Sequence, residues 1–364
     1  MQISSVITHL ESLAHPTLQE HYDNAGLITG DAGWECTGII CCLDSTFDVI
    51  DEAVKKKANL VIAHHPIIFG GLKRINGNNY VEKAIIHAIK NDIAVYAIHT
   101  NLDNVITGVN GRIAERIGLN HLQVLSPRPQ TLKKLYVFVP TDHSSGLREA
   151  IFKAGAGQIG NYSECSFNTD GMGTFKAGKG ADPFVGDIGE QHHEKEVRVE
   201  VVFPAFLENQ IISAMKSAHP YEEVAYDVIA LSNVHPQIGS GVLGELAQPI
   251  EELAFLDKLK SVFDLKMVRH TRLRQKPVQT VAVCGGAGSF LINKALRSGA
   301  DFYISADIKY HEFFDANDQL VVADIGHYES EQFTIRLLQE ILEQKFPNFA
   351  VLKTGIVTNP VYYS

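Results

Sequence analysis

Short apolar runs alternate with helix-like segments along both ends of the chain. Ile3 to Leu13 reads as a helix, followed by a turn-rich passage at His21-Tyr-Asp-Asn-Ala-Gly26. Gly38 to Leu43, Asn59 to Ala63 and Ile93 to Ile98 read as strands, separated by helices at Phe47 to Lys57 and Tyr80 to Asn91. Strands alternating with helices predict an α/β fold. The same order returns from residue 278, with strands at Val278 to Cys284, Asp301 to Ser305 and Leu320 to Ile325 and a helix at Ser289 to Ser298. Lys57-Ala58-Asn59-Leu60 aligns with Gly299-Ala300-Asp301-Phe302, each introducing a strand of similar character, so the two ends read as pseudo-repeated α/β halves of one domain.

Between the halves the rhythm changes at Pro127 and Pro129. Strand Lys134 to Val139, helix Ser145 to Ala154, strands Tyr162 to Asn168 and Val197 to Phe203, helix Ala205 to Ala218 and strand Val224 to Leu231 spell βαββαβ. That order predicts an inserted ferredoxin-like domain. The expected boundaries are 1–128 and 236–364 for the two halves, and 129–235 for the insert. The Gly-rich passage Gly171 to Gly189 reads as a long loop or an extra hairpin.

Composition narrows the class. Apolar residues make up 45% of the 364 positions and charged residues 20%, which excludes wholesale disorder. No apolar run approaches the roughly 18 residues that span a bilayer. The start of the chain lacks a basic segment followed by an apolar one, so a cytoplasmic protein is expected. Five cysteines without a CxxC spacing read as buried free thiols. A formal net charge of −10 disfavours nucleic acid as a partner, leaving room only for a local basic patch.

Sixteen histidines are many for this length, and several follow strand ends. His64-His65-Pro66 closes one strand, His99 and Asp103 follow the next, and His327 and Glu331 follow the last. Ligand sites in open α/β sheets lie at the carboxyl ends of strands. His327 and Glu331 are four apart and share a face if a helix begins near Tyr328. A single His pair or His/Glu pair fits a solvated loop or a surface ion pair equally well, but three such clusters at three strand ends point to metal.

Two four-coordinate ions need about eight donor positions. His64, His65 and His327 with Asp103 and Glu331 supply at most seven of them and leave at least one position for water, as in a catalytic site. Nitrogen and oxygen donors suit zinc, iron, manganese, cobalt or nickel. Of two Gly-rich stretches, Gly173 to Gly180 lacks the hydroxyl residue and the following helix of a P-loop. Cys284-Gly-Gly-Ala-Gly-Ser289 is either an anion cradle or a tight turn.

The motifs Asp23-Asn-Ala-Gly26, His64-His65-Pro66, His99-Thr100 with Asp103, Asp307-Ile-Lys-Tyr-His311, Gly326-His327 with Ser330-Glu331, and Thr358-Asn359-Pro360 span both ends. The chain resembles the NIF-three-like family, the bacterial YbgI and YqfO group of GTP cyclohydrolase I type 2 homologues. Tyr22 and Ala306 depart from the tryptophan and glycine usual there. The resemblance implies that His64, His65, Asp103, His327 and Glu331 ligate two divalent ions. It also implies a middle domain similar to PII and CutA-like proteins, with His219-Pro-Tyr-Glu222 as the matching segment, and a toroidal homohexamer. The expected activity is metal-dependent hydrolysis of a nucleotide or small heterocycle by a metal-activated hydroxide, with His99, Lys309 or His311 positioning substrate or moving protons. The alternative is a metal-stabilised scaffold that binds partners or ligands without turnover.

Overall fold

The computed structural model describes residues 1–364, and the chain divides into two compact units. One comprises residues 1–127 with 236–364, and the other residues 128–235.

The larger unit holds two sheets. The first runs, in spatial order, through Gly26–Thr29, Ala94–Ala97, Leu60–His65, Ile39–Asp44 and Val351–Lys353. Its neighbours are parallel except Gly26–Thr29, which is antiparallel to Ala94–Ala97. Ile39, Ile40, Cys41, Cys42 and Leu43 are all buried, as are Leu60 to His64. A parallel strand covered on both faces has no polar side, so it reads as an unbroken apolar run. Helix Phe47–Lys55 sends Val49, Ile50 and Ala53 into this core, and the four buried cysteines of the chain serve as small apolar residues.

The second sheet runs through Arg269–His270, Val321–Asp324, Phe302–Ala306, Val278–Ala287, Gly239–Ile250 and Leu119–Pro127. Its three central strands are parallel, and Arg269–His270 is an antiparallel edge. In each sheet three adjacent parallel strands run in chain order and are followed by one antiparallel strand: Ile39–Asp44, Leu60–His65, Ala94–Ala97 and then Gly26–Thr29 in the first, where Val351–Lys353 adds a fourth parallel strand, and Val278–Ala287, Phe302–Ala306, Val321–Asp324 and then Arg269–His270 in the second. The expected helix Ser289 to Ser298 begins instead as the 3-10 turn Ser289–Leu291 before Ile292–Arg297. Helix His327–Glu331 begins one residue before Tyr328.

Residues 128–235 form a four-stranded antiparallel sheet in the order Phe167–Lys176, Gln191–Pro204, Leu132–Pro140, Tyr226–Ala230. Helices Ser144–Lys153 and Glu208–Ala218 bury Leu147, Ile151, Ile211 and Met215 against Leu135, Val137, Val199 and Val201. The second strand lies later than the expected Tyr162 to Asn168. The Gly-rich passage from Gly171 supplies its second half, pairing as far as Lys176 with Gln191. No helix is long and apolar enough to cross a membrane.

Candidate metal centre

His64 and His65 end the strand Leu60–His65, and Asp103 ends the one-turn helix Thr100–Asp103 that starts after His99. His327 and Glu331 bound the helix His327–Glu331. The fold brings these six side chains together. His64 Nε2 lies 3.6 Å from Asp103 Oδ1 and 4.0 Å from Glu331 Oε1. On the other side of the same carboxylate, Glu331 Oε2 is 2.9 Å from His65 Nε2 and 3.1 Å from His327 Nε2. The His99 ring stands 5.2 Å from that of His64 and 5.3 Å from that of His65. Three overlapping groups have the spacing to hold an ion: His64 with His65 and His99, His65 with His327 and Glu331, and His64 with Asp103 and Glu331.

The outer edge of every histidine in the cluster is held. His65 Nδ1 meets Asp44 Oδ1 at 2.8 Å, His99 Nδ1 meets Asp23 Oδ1 at 2.8 Å, and His327 Nδ1 meets Asp307 Oδ2 at 2.7 Å. His64 Nδ1 meets the Ile98 carbonyl at 2.8 Å. An imidazole that donates from Nδ1 presents a neutral Nε2 with its lone pair free, the tautomer a metal requires. All four Nε2 atoms face inward. His64 Nε2 and Asp103 Oδ1 are buried and have no hydrogen-bond partner. An orphaned nitrogen and an orphaned carboxylate oxygen side by side are costly in protein alone and are satisfied by a cation.

The charges are unstable without one. Burial would lower His65, but Asp44 and Glu331 outweigh it and raise the ring to about 10. His327 is likewise lowered by burial and raised further by Glu331 and Asp307, to about 9. Burial drives His64 down to about 3. Burial and the Glu331 charge push Asp103 well above the carboxylate range, whereas hydrogen bonds from His327 and His65 overcome burial and hold Glu331 well below it. Asp23 sits at about 2, because its bonds from His99 and Thr100 exceed the effect of burial. One carboxyl held protonated beside another held ionised leaves protons where cations fit.

The Gly-rich stretch that ends strand Val278–Ala287 has no amides to spare for an anion at its start. Gly285 N donates to Asn110 Oδ1, whose Nδ2 donates to the Asp103 carbonyl, and Gly286 N donates to Ser330 Oγ. The stretch is a brace for the ligand-bearing segments. Gly286 has a φ of +60°, and a Cβ there would lie 2.4 Å from Glu331 Oε1. The stretch is the irregular end of the strand, whose register shifts between Val283 and Ala287, running into the 3-10 segment Ser289–Leu291.

Lys309 and His311 are not among the converging groups. Both are exposed; the Lys309 amide caps against Glu312, and the His311 ring packs against Tyr310 and Phe314. The orienting carboxylates carried less signal. Asp23 and Asp307 stand in recognisable motifs without a role assigned to them, and Asp44 was missed, although it ends the strand next to Leu60–His65 and is in register with His65. A cavity of about 450 Å³ opens beside the cluster, lined by Asp44, His65, Asp307, His327, Arg269 and Tyr363 among others.

The comparisons with known proteins cover the whole chain. The family described as Duf34/NIF3 (NGG1p interacting factor 3) matches residues 1–360. A Halalkalibacterium halodurans protein named "GTP cyclohydrolase 1 type 2 homolog" is 37% identical over 361 residues, covering 98% of this chain and 97% of its own. A Bacillus subtilis protein of the same name is 40% identical over 345 residues, covering 93% and 92%. Among solved structures, a Bacillus cereus protein related to NIF3 superposes with a TM-score of 0.88 at 38% identity, covering 100% of this chain and 99% of that one. A Staphylococcus aureus protein superposes with a TM-score of 0.78 at 27% identity, with the same coverage.

Proposed function

We propose, from the premise that the chain belongs to the Duf34/NIF3 family, that it is a divalent-metal-dependent hydrolase acting on a nucleotide or related heterocycle. The observation that carries this reading is the set of four histidines with every Nδ1 restrained, converging where His64 Nε2 and Asp103 Oδ1 are buried side by side without a hydrogen-bond partner. His64, Asp103 and Glu331 would hold one ion, and His65, His327 and Glu331 a second. Glu331 would serve both, since its Oε1 faces His64 and its Oε2 faces His65 and His327. A bound divalent ion supplies Lewis acidity and lowers the pKa of a water to about 7, giving a nucleophile at neutral pH. His99, held by Asp23, would add a donor to the first ion or move a proton from the attacking water to the departing ring nitrogen. The Arg269 guanidinium at the cavity wall orients substrate. Lys309 and His311 stand outside the cluster and are assigned no role in it.

The finer architecture belongs to the same proposal. Two sheets with the same order of three parallel strands and one antiparallel edge support a pseudo-repeated metal domain. The βαββαβ order with its outer second and fourth strands supports an inserted ferredoxin-like module. Mass spectrometry of GTP incubated with the protein and each candidate metal tests the activity. Hydrolysis of the guanine ring is expected with at least one metal, and unchanged GTP under all of them sinks the cyclohydrolase assignment.

A further inference from the structure

The net charge hides a strong local asymmetry. From Leu265 to Ala300 the chain has no aspartate or glutamate, while Lys266, Arg269, Arg272, Arg274 and Lys276 crowd its first third. Arg269 pairs with Asp324 at 3.1 Å and Arg274 with Asp301 at 3.6 Å. Arg272 and Lys276 are exposed and belong to no ion pair. Two depressions lie along this segment. One, of about 620 Å³, is lined by Arg272, Arg274, Gln275 and Lys276 with Gly299 and Gln319. The other, of about 710 Å³, is lined by Arg269, His270 and Arg272 with Tyr310, Phe313 and Phe314. Arg272 and Asp318 line both, so the two are continuous, and Asp318 is the carboxylate that lines them.

The aromatic side of this face is unusual in its exposure. Tyr310 is 72% and Phe314 67% accessible, and their rings stand 5.6 Å apart at 75° on the 3-10 segment Tyr310–Ala316. Two large rings at the surface next to unpaired cations make a stacking platform beside a phosphate track. An acidic peptide would use the cations but leave the rings without a planar partner. An apolar partner would bury Arg272 and Lys276 unpaired, at a cost in desolvation.

We infer that this face binds single-stranded nucleic acid, with bases on Tyr310 and Phe314 and backbone phosphates on Arg272, Arg274 and Lys276. The inference is independent of the metal reading, since none of these residues is a candidate ligand. It also revises what the overall charge suggests. Polyanion binding is set by the local field, and an acidic remainder weakens it at long range without cancelling the contacts.

Fluorescence anisotropy of the full chain with a labelled mixed-sequence oligonucleotide of roughly 12 nucleotides, within the span of known single-strand grooves, is the test. Two to three neutralised phosphates predict a slope of log affinity against log salt between about −1.4 and −2.1. Arg272→Ala with Lys276→Ala should flatten that slope and weaken low-salt binding by roughly tenfold or more. Tyr310→Ala with Phe314→Ala should weaken binding by about tenfold per base lost while leaving the slope unchanged. Tyr310→Phe should bind as the parent does, separating stacking from misfolding. Four results overturn the inference: no binding at low salt; the labelled strand bound equally well by the parent and the ring-less variant; a mononucleotide competing as well as the strand; or either double variant dissociating the protein in light scattering, which marks the face as a contact between copies.

Discussion

Asp44, Asp23 and Asp307 each hold a histidine by its outer nitrogen, and that is what converts a crowd of imidazoles into aimed donors. Removing such a partner lowers metal affinity by about 10- to 100-fold in zinc sites. Asp44→Asn and Asp307→Asn should each weaken binding by that factor in calorimetric titration, with the fold unchanged by circular dichroism. The rings also predict a pH dependence. His65 at about 10 and His327 at about 9 hold their protons near neutral pH in the ion-free protein, whereas ligands must be neutral. Metal binding should therefore expel about three protons per chain, two from these rings and one from Asp103, and apparent affinity should climb with pH until the rings have lost their protons, between about 9 and 10. Titration in buffers of different ionisation enthalpy reads the proton count directly. Zero release would mean that these two rings do not ligate.

Among the elements, the parallel strands were legible because burial on both faces leaves nothing polar in them. Their ends were legible too, since His64-His65, His99 and His327 each follow such a run. Lys57 and Gly299 both adopt a left-handed turn, with φ of 57° and 74°, shortly before the strands Leu60–His65 and Phe302–Ala306. Other strands gave no signal. Phe167–Lys176 is an edge strand with polar residues or glycine at most positions and is exposed along most of its length, so no two-residue alternation marks it. Leu119–Pro127 and Gly239–Ile250 pair with each other across the whole middle unit, a partnership that no local pattern can announce. The donors were therefore readable and their carboxylate supports were not, because support depends on register between strands. The Gly286 stretch is the element most exposed to a small change. Gly286→Ala meets both a left-handed φ and the Glu331 carboxylate, so a loss of about 1–3 kcal/mol in stability is expected along with reduced metal content. Thermal denaturation with and without added metal checks both, and an unchanged melting temperature and occupancy would remove the stretch from the account.

At the scale of the molecule, every donor in the cluster comes from residues 1–127 or 236–364. Pro127 and Gly239 are register partners in an antiparallel pair, so the chain leaves and re-enters the larger unit at neighbouring points. Replacing residues 128–235 with a short turn should leave a folded unit with its metal content intact, measured by elemental analysis. Loss of the metal on excision would mean that the middle unit is needed to build the centre. The net charge of −10 is a poor guide to surface behaviour here, given the cationic run at Lys266 to Lys276. The central claim is that the two ends of the chain, 266 residues apart at His65 and Glu331, close around metal. Its most direct test is elemental analysis of the purified protein beside a His65→Ala, Glu331→Ala double variant. About two divalent ions per chain in the parent, as paired sites of this donor type hold, falling to one or none in the variant, is the predicted result; equal metal content in the two proteins would contradict it.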